Sequence, residues 1–169
     1  ALFVCIRHRS FDGHTAAAEA LASGAAAVVT QERLGLENEL NVADSRAAYA
    51  RLCAALCGHP ERKLRMIGVT GTNGKTTVTT LIRNILSDSG IKTLLTGTVC
   101  NRLGEESLPS GLTTPKPPEL YSLLSRAVLS GCEACVAEAS SQALAQGRLE
   151  GIAFDAAVFT NITRDHLDY

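Results

Sequence analysis

A short turn rich in Gly, Thr and Asn, caught between an apolar run and a helical repeat, constrains this chain more than any other stretch. It reads Ile-Gly-Val-Thr-Gly-Thr-Asn-Gly-Lys-Thr-Thr over residues 67–77. Residues 64–69 are apolar and β-prone. Beyond the turn, Val78, Leu81, Ile82, Ile85 and Leu86 fall at i, i+3, i+4, i+7 and i+8, which predicts a helix with one apolar face, and Gly90 stands where that helix needs a left-handed stop. Strand, tight loop and helix N-terminus together make a phosphate cradle, because loop amides turn inward and the helix dipole adds partial positive charge. Gly71 and Gly74 do the tight turning, Lys75 reaches the terminal phosphates as a point charge, and the Thr76 hydroxyl ligates Mg²⁺. The usual phosphate-loop pattern asks for glycine where Val69 stands, so this loop is a short variant. Weighed against a mere flexible turn, the spacing favours a nucleoside triphosphate site.

A chain of 169 residues suits one ordinary domain or two small ones. With three Tyr, four Phe and no Trp, the interior must be filled by Ala, Val, Leu and Ile. A net charge of −1, with Lys and Arg scattered, gives no footprint for nucleic acid or an anionic membrane. No apolar run approaches the roughly 18 residues of a membrane span, and no signal peptide is visible. A soluble cytoplasmic monomer is expected. Of the six cysteines, Cys53 and Cys57 are spaced i, i+4 and Cys132 and Cys135 form a Cys-x-x-Cys. Cys135 opens an apolar run and reads as a small buried hydrophobe rather than a zinc ligand, and disulfides are not expected.

Taken in order, residues 2–6 read as a strand, 7–13 as a polar loop, and 15–23 as a helix capped by Thr15 and stopped by Gly24. Strands follow at 26–29 and 40–43, then a helix over 45–56 and the breaker Gly58-His59-Pro60. A domain boundary is expected at 62–64, giving units 1–63 and 64–169. After the phosphate-loop helix come a strand at 92–96, a long loop, a helix opened by Pro117-Pro118, a strand at 135–139, a helix over 141–149 and a strand at 156–159. Strands alternating with helices predict an α/β fold: a small N-terminal α/β domain, then a phosphate-loop ATPase domain on a mostly parallel sheet.

Ligands of such sheets gather at the carboxyl ends of strands. Thr76, Glu138 and His166 fall there, and an acidic residue beside a phosphate loop suits Mg²⁺. From pattern alone Glu138 also suits a solvated or capping carboxylate, His166 a structural histidine, and Asp165 and Asp168 a cap and a solvated charge.

Three segments, Gly-Val-Thr-Gly-Thr-Asn-Gly-Lys-Thr-Thr (68–77), Glu-Ala-Ser-Ser-Gln-Ala-Leu (138–144) and Val-Phe-Thr-Asn-Ile-Thr-Arg-Asp-His-Leu-Asp-Tyr (158–169), resemble the Mur ligase family. Phe3-Val4, Asp12-Gly13-His14 and residues 24–29 extend the resemblance over nearly the whole chain. It implies the N-terminal domain and the front of the central ATPase domain of a peptidoglycan-building amide ligase. Gly71, Thr72, Asn73, Gly74, Lys75, Thr76 and Thr77 would bind ATP. Glu138 would hold Mg²⁺ together with Thr76, and His166 a second metal. Thr113, Thr114, Ser140, Gln146 and Arg148 would contact a UDP-N-acetylmuramoyl-dipeptide, with Arg9, Ser10 and Phe11 near its uridine end.

The implied chemistry is transfer of the ATP γ-phosphoryl group to a carboxylate, then attack by an amino acid, a diamino acid being expected, on the acyl phosphate. Lys75, Glu138 and His166 would be the catalytic set. A carbamoylated lysine, the rest of the sheet and the amino-acid-binding domain would lie past Tyr169. Gln142, Leu112 and His8 depart from the family pattern, which often has His, Asn and Gly there. Other readings are a related ligase, of the folylpolyglutamate or cyanophycin synthetase kind, and a nucleotide-binding segment with no activity of its own.

Overall fold

The computed structural model describes residues 1–8 and 10–163, so the expectations for Arg9, Asp165, His166 and Asp168 lie outside the described residues. The chain divides into two compact units, 1–49 and 50–169. The division falls inside a helix, whereas residues 62–64, where composition suggested a boundary, form a 3-10 turn and its exit.

The first unit holds β1 (Leu2–Val4), a 3-10 turn (Gly13–Ala16), α1 (Ala17–Ala22), β2 (Ala27–Thr30), β3 (Glu39–Asn41) and the first turn of α2 (Ser45–Leu56). Its three strands are parallel in the order β1-β2-β3, with Phe3 opposite Val28. Parallel pairing forces a crossover, and α1 supplies it. Cys5, Ala17 and Val28 form the buried centre, with Phe3, Leu21 and Leu36 packed around them. The helical segment is capped by Asp12, not by Thr15 as the sequence suggested. The Asp12 carboxylate accepts the His14 N–H at 3.0 Å, while the Thr15 hydroxyl donates to the Asp12 carbonyl. That N–H, the His14 ring nitrogen at 2.6 Å and the Arg7 guanidinium at 2.8 Å hold Asp12 well below the usual carboxylate range. His14 Nε2 accepts the Gln31 N–H, which leaves Nδ1 as the donor to Asp12.

The second unit continues from α2 through the 3-10 turn Pro60–Lys63 to β4 (Arg65–Thr70), α3 (Lys75–Asp88), β5 (Thr93–Thr96), β6 (Asn101–Leu103), β7 (Glu106–Leu108), α4 (Pro117–Leu129), β8 (Ala134–Glu138), α5 (Ser141–Ala145) and β9 (Ala156–Phe159). The sheet runs β7-β6-β5-β8-β4-β9. β5, β8, β4 and β9 are parallel, as expected, but β6 and β7 add an antiparallel hairpin where only a loop was predicted. Strands of three residues are too short to carry a periodic signal. The hairpin is held from α3, where the buried Arg83 donates to Gly104 O and Glu105 Oε1, both at 2.6 Å.

That anchor also corrects the reading of α3. Its buried positions are Thr79 and Arg83, with Val78, Ile82 and Leu86 half-buried beside them, while Leu81 and Ile85 are 55% and 64% exposed. The helix packs on β4, β5 and β8 through a face set partly by polar side chains. β8 is buried along its whole length, between β4 on one side and β5 on the other. No helix among the described residues is long and apolar enough to cross a membrane.

One topological fact positions the site. β4 and β8 are neighbours, yet the chain leaves β4 towards β5 and leaves β8 towards β9. Connections that leave adjacent strands in opposite directions, here each crossing over the other strand, fall on opposite faces of the sheet by the right-handed crossover rule. They leave a crevice at the strands' carboxyl ends, where α/β sheets bind ligands.

Candidate active site

Two loops flank this crevice. Residues 71–74 leave β4, and residues 139–140 leave β8. They border an open cleft of about 720 Å³ lined by Gly71, Thr72, Lys75, Thr113, Ser140 and Arg148 among others.

On the β4 side the wall is main chain. Gly71 stands at φ +133°, and a Cβ there would strike Thr160 Oγ1 and crowd Asn161, so no other residue fits. Gly74 opens α3 at φ +86°. The first bond inside the helix is Val78 N–H to Gly74 O at 2.9 Å, and the N–H groups of Lys75, Thr76 and Thr77 in the first turn have no acceptor among the described residues. Lys75 Nζ folds back over the loop and donates to Gly71 O at 2.6 Å and Thr72 O at 3.0 Å. An ammonium and three convergent amides at a helix N-terminus form an anion site. The Thr76 hydroxyl has no hydrogen-bond partner among the described residues, whereas its carbonyl accepts from Thr79 and Thr80.

On the β8 side the wall is buried side chain. Glu138 is 0% exposed, and its oxygens accept from Thr98 N–H at 3.1 Å and Thr98 Oγ1 at 2.9 Å. Gly97 makes room for it, since a Cβ at 97 would collide with Glu138 Oε1. Among the described residues no basic side chain pairs with Glu138. A buried carboxylate without a cation is costly. Two hydrogen bonds leave further acceptor capacity on its oxygens, so the residues fit a hard cation, with Glu138 and the Thr76 hydroxyl as oxygen donors of the type Mg²⁺ takes. Next to it, the buried Thr114 hydroxyl donates to Glu138 O at 2.7 Å and accepts the Ser140 N–H at 3.0 Å. Ser140 in turn caps α5 by accepting the Ala143 N–H. Arg148 Nη1 donates to Thr114 O at 2.8 Å, and its Nε and Nη2 both donate to Gln146 Oε1, at 3.0 and 2.7 Å.

The structure thus brings together Gly71, Thr72, Lys75, Thr113, Ser140 and Arg148 around one cleft. Thr114 and Glu138 are buried and do not line it; the Thr114 hydroxyl is spent on Glu138 O and the Ser140 N–H, and Gln146 Oε1 accepts two bonds from Arg148. Leu112 and Gln142, the departures from the family pattern, line the same cleft. Ser10 and Phe11 are exposed residues of the first unit. Burial raises the Cys53 and Cys132 thiols and pushes Cys135 up to about 12, which disfavours thiolate ligands. Four residues that organise the site were missed from sequence: Gly97, Thr98, Thr160 and Asn161. The last two stand inside the quoted segment 158–169 and immediately follow β9, a position that itself signals the ligand end of a parallel strand.

The model of the Mur ligase middle domain matches residues 69–169, more than half of the chain. The chain belongs to the Mur ligase family. Among its relatives, the Parabacteroides distasonis protein named UDP-N-acetylmuramoyl-L-alanyl-D-glutamate--2,6-diaminopimelate ligase is 44% identical over 99% of this chain and 35% of its own length. The Geobacillus kaustophilus ligase of the same name is 47% identical, again over 99% of this chain and 35% of its length. A solved structure of a ligase of this name superposes with a TM-score of 0.75 at 35% identity, covering 92% of this chain and 32% of that one. The MurF ligase of Thermotoga maritima, solved with ADP, gives 0.59 at 27% identity over 98% of this chain and 35% of its own. This Mur ligase chain therefore spans about a third of the length of the relatives it matches.

Proposed function

We propose that this chain carries the nucleotide-binding part of a cytoplasmic, monomeric, ATP-dependent ligase that joins 2,6-diaminopimelate to UDP-N-acetylmuramoyl-L-alanyl-D-glutamate in peptidoglycan synthesis. The observation that carries the reading is the pairing, across adjacent strands, of the Lys75 phosphate loop with buried Glu138. The names of relatives above 40% identity support the choice of amino acid.

In this reading the triphosphate lies against the first-turn amides of α3, and Lys75 exchanges its loop carbonyls for phosphate oxygens. Bound Mg²⁺, held by Thr76 and Glu138, would supply charge neutralisation on the phosphates. His166 would help hold a second metal. Arg148, fixed in orientation by Gln146 and Thr114 O, faces the cleft as the group that orients the substrate carboxylate. Thr113 and Ser140 line the same wall. Arg9, Ser10 and Phe11 would serve the uridine end. The carboxylate attacks the γ-phosphorus and ADP leaves. The amine then attacks the acyl carbon of the acyl phosphate, and inorganic phosphate leaves with one proton released.

The test is titration calorimetry with the UDP-muramoyl-dipeptide, followed by phosphate release with diaminopimelate, lysine and other amino acids supplied to the full natural chain. Diaminopimelate-dependent release is the expected result. Nucleotide binding without amino-acid-dependent release would overturn the ligase reading, and release with glutamate or aspartate alone would favour a related ligase.

A further inference from the structure

The phosphate loop does not hold its shape alone. We propose that Asn161 is a positioning residue for the nucleotide: with Thr160 it clamps the loop from the exit of β9, and thereby couples nucleotide binding to order in residues 160–163. The inference rests on the nucleotide reading above.

The clamp is reciprocal. Asn161 O accepts Thr72 N–H at 3.0 Å, and Asn161 Oδ1 accepts Asn73 N–H at 3.0 Å. In return Asn161 Nδ2 donates to Asn73 O at 3.1 Å, and Thr160 Oγ1 donates to the same carbonyl at 2.7 Å. One asparagine carboxamide therefore satisfies both polar groups of one loop residue. The Thr72 hydroxyl lies 3.0 Å from Thr163 N, whose proton it accepts, and 3.3 Å from Thr163 O, to which it donates. Gly71 lies so close to Thr160 and Asn161 that a Cβ would not fit between them.

Two physical consequences follow. The Asn73 carbonyl, whose negative end would repel a phosphate, is turned onto Thr160 and Asn161. The Thr72 and Asn73 amides are spent on the clamp, so the donors left for an anion are the Gly74 N–H and those of Lys75, Thr76 and Thr77, grouped at the positive end of α3. Without the clamp the loop could turn that carbonyl inward, and an anion would meet a mixed set of dipoles. Because linkage is mutual, a nucleotide that favours the clamped loop must also stabilise the segment holding it.

The experiment uses the full natural chain and fluorescent mant-ADP. Asn161→Ala is expected to weaken binding about tenfold, the scale of one or two net hydrogen bonds, and Thr160→Val by a few-fold. Affinity for the UDP-muramoyl-dipeptide should stay within about twofold, a split that general loss of structure would not produce. Amide exchange of the wild type supplies a readout that needs no variant: ADP should slow exchange at 160–163 several-fold. Binding of mant-ADP by Asn161→Ala within twofold of wild type would overturn the proposal. So would unchanged exchange at 160–163 in the nucleotide-bound wild type. A wild type that binds no mant-ADP would instead remove the nucleotide reading itself, and the clamp with it.

Discussion

The two walls of the cleft are built from different material. On the β4 side, function is entrusted to main-chain groups: three first-turn amides, loop carbonyls that hold Lys75, and a turn at Gly71 with no room for a side chain. On the β8 side it is entrusted to side chains, the buried Glu138, Thr114 and Arg148 joined with half-buried Ser140 and Gln146 and exposed Thr98 in one hydrogen-bonded set. A main-chain wall tolerates many side chains as long as the backbone path is kept. A side-chain wall fails piecemeal, because each truncation strands a buried partner. The two should therefore respond differently to substitution.

The largest effect is expected from Lys75, the only charged side chain of the β4 wall among the described residues. Lys75→Ala should lower ATP-dependent phosphate release by at least about a hundredfold, the usual cost of one electrostatic stabiliser, while leaving UDP-substrate affinity within about twofold. Unchanged release would break the contrast at once. Gly97→Ala comes next: its methyl group enters the space of Glu138 Oε1. Overpacking of this kind costs about 1–3 kcal/mol, readable as a lower urea midpoint, and a neutral result would mean that Glu138 is not tightly held. Thr114→Val keeps the volume but strands Glu138 O and the Ser140 N–H; a loss of about 1–2 kcal/mol is expected by the same measurement. The smallest effect should come from Ile85→Gln on the exposed face of α3, within about 0.5 kcal/mol in the 169-residue chain. A loss of 2 kcal/mol or more there would restore the apolar face that the helical spacing suggested.

The same contrast explains what could be read without coordinates. The β4 wall is legible because Gly-Lys-Thr after an apolar run states a backbone path, and a backbone path depends on local residue chemistry. The alternation of strands and helices was likewise enough for the parallel sheet. Glu138 was placed by its position at a strand end, but Thr98 and Gly97, which hold it and give it room, are forty or so residues away in sequence and carry no local mark. Asn161 escaped for the same reason: its partner, Asn73, follows the neighbouring strand β4 and is 88 residues away in sequence. The β6–β7 hairpin was missed because its strands are too short for a periodic signal, and α3 was turned by one buried Arg that spacing rules count as polar. Long-range pairing, not propensity, made up the difference.

Crystals of the full natural chain grown with Mg²⁺ and a non-hydrolysable ATP analogue give the most direct test of the central claim. The account predicts the β- and γ-phosphates on the N–H groups of Lys75, Thr76 and Thr77, Lys75 Nζ moved from Gly71 O onto a phosphate oxygen, and the metal between Thr76 and Glu138. A nucleotide bound elsewhere, with Lys75 still folded onto its own loop, would contradict it.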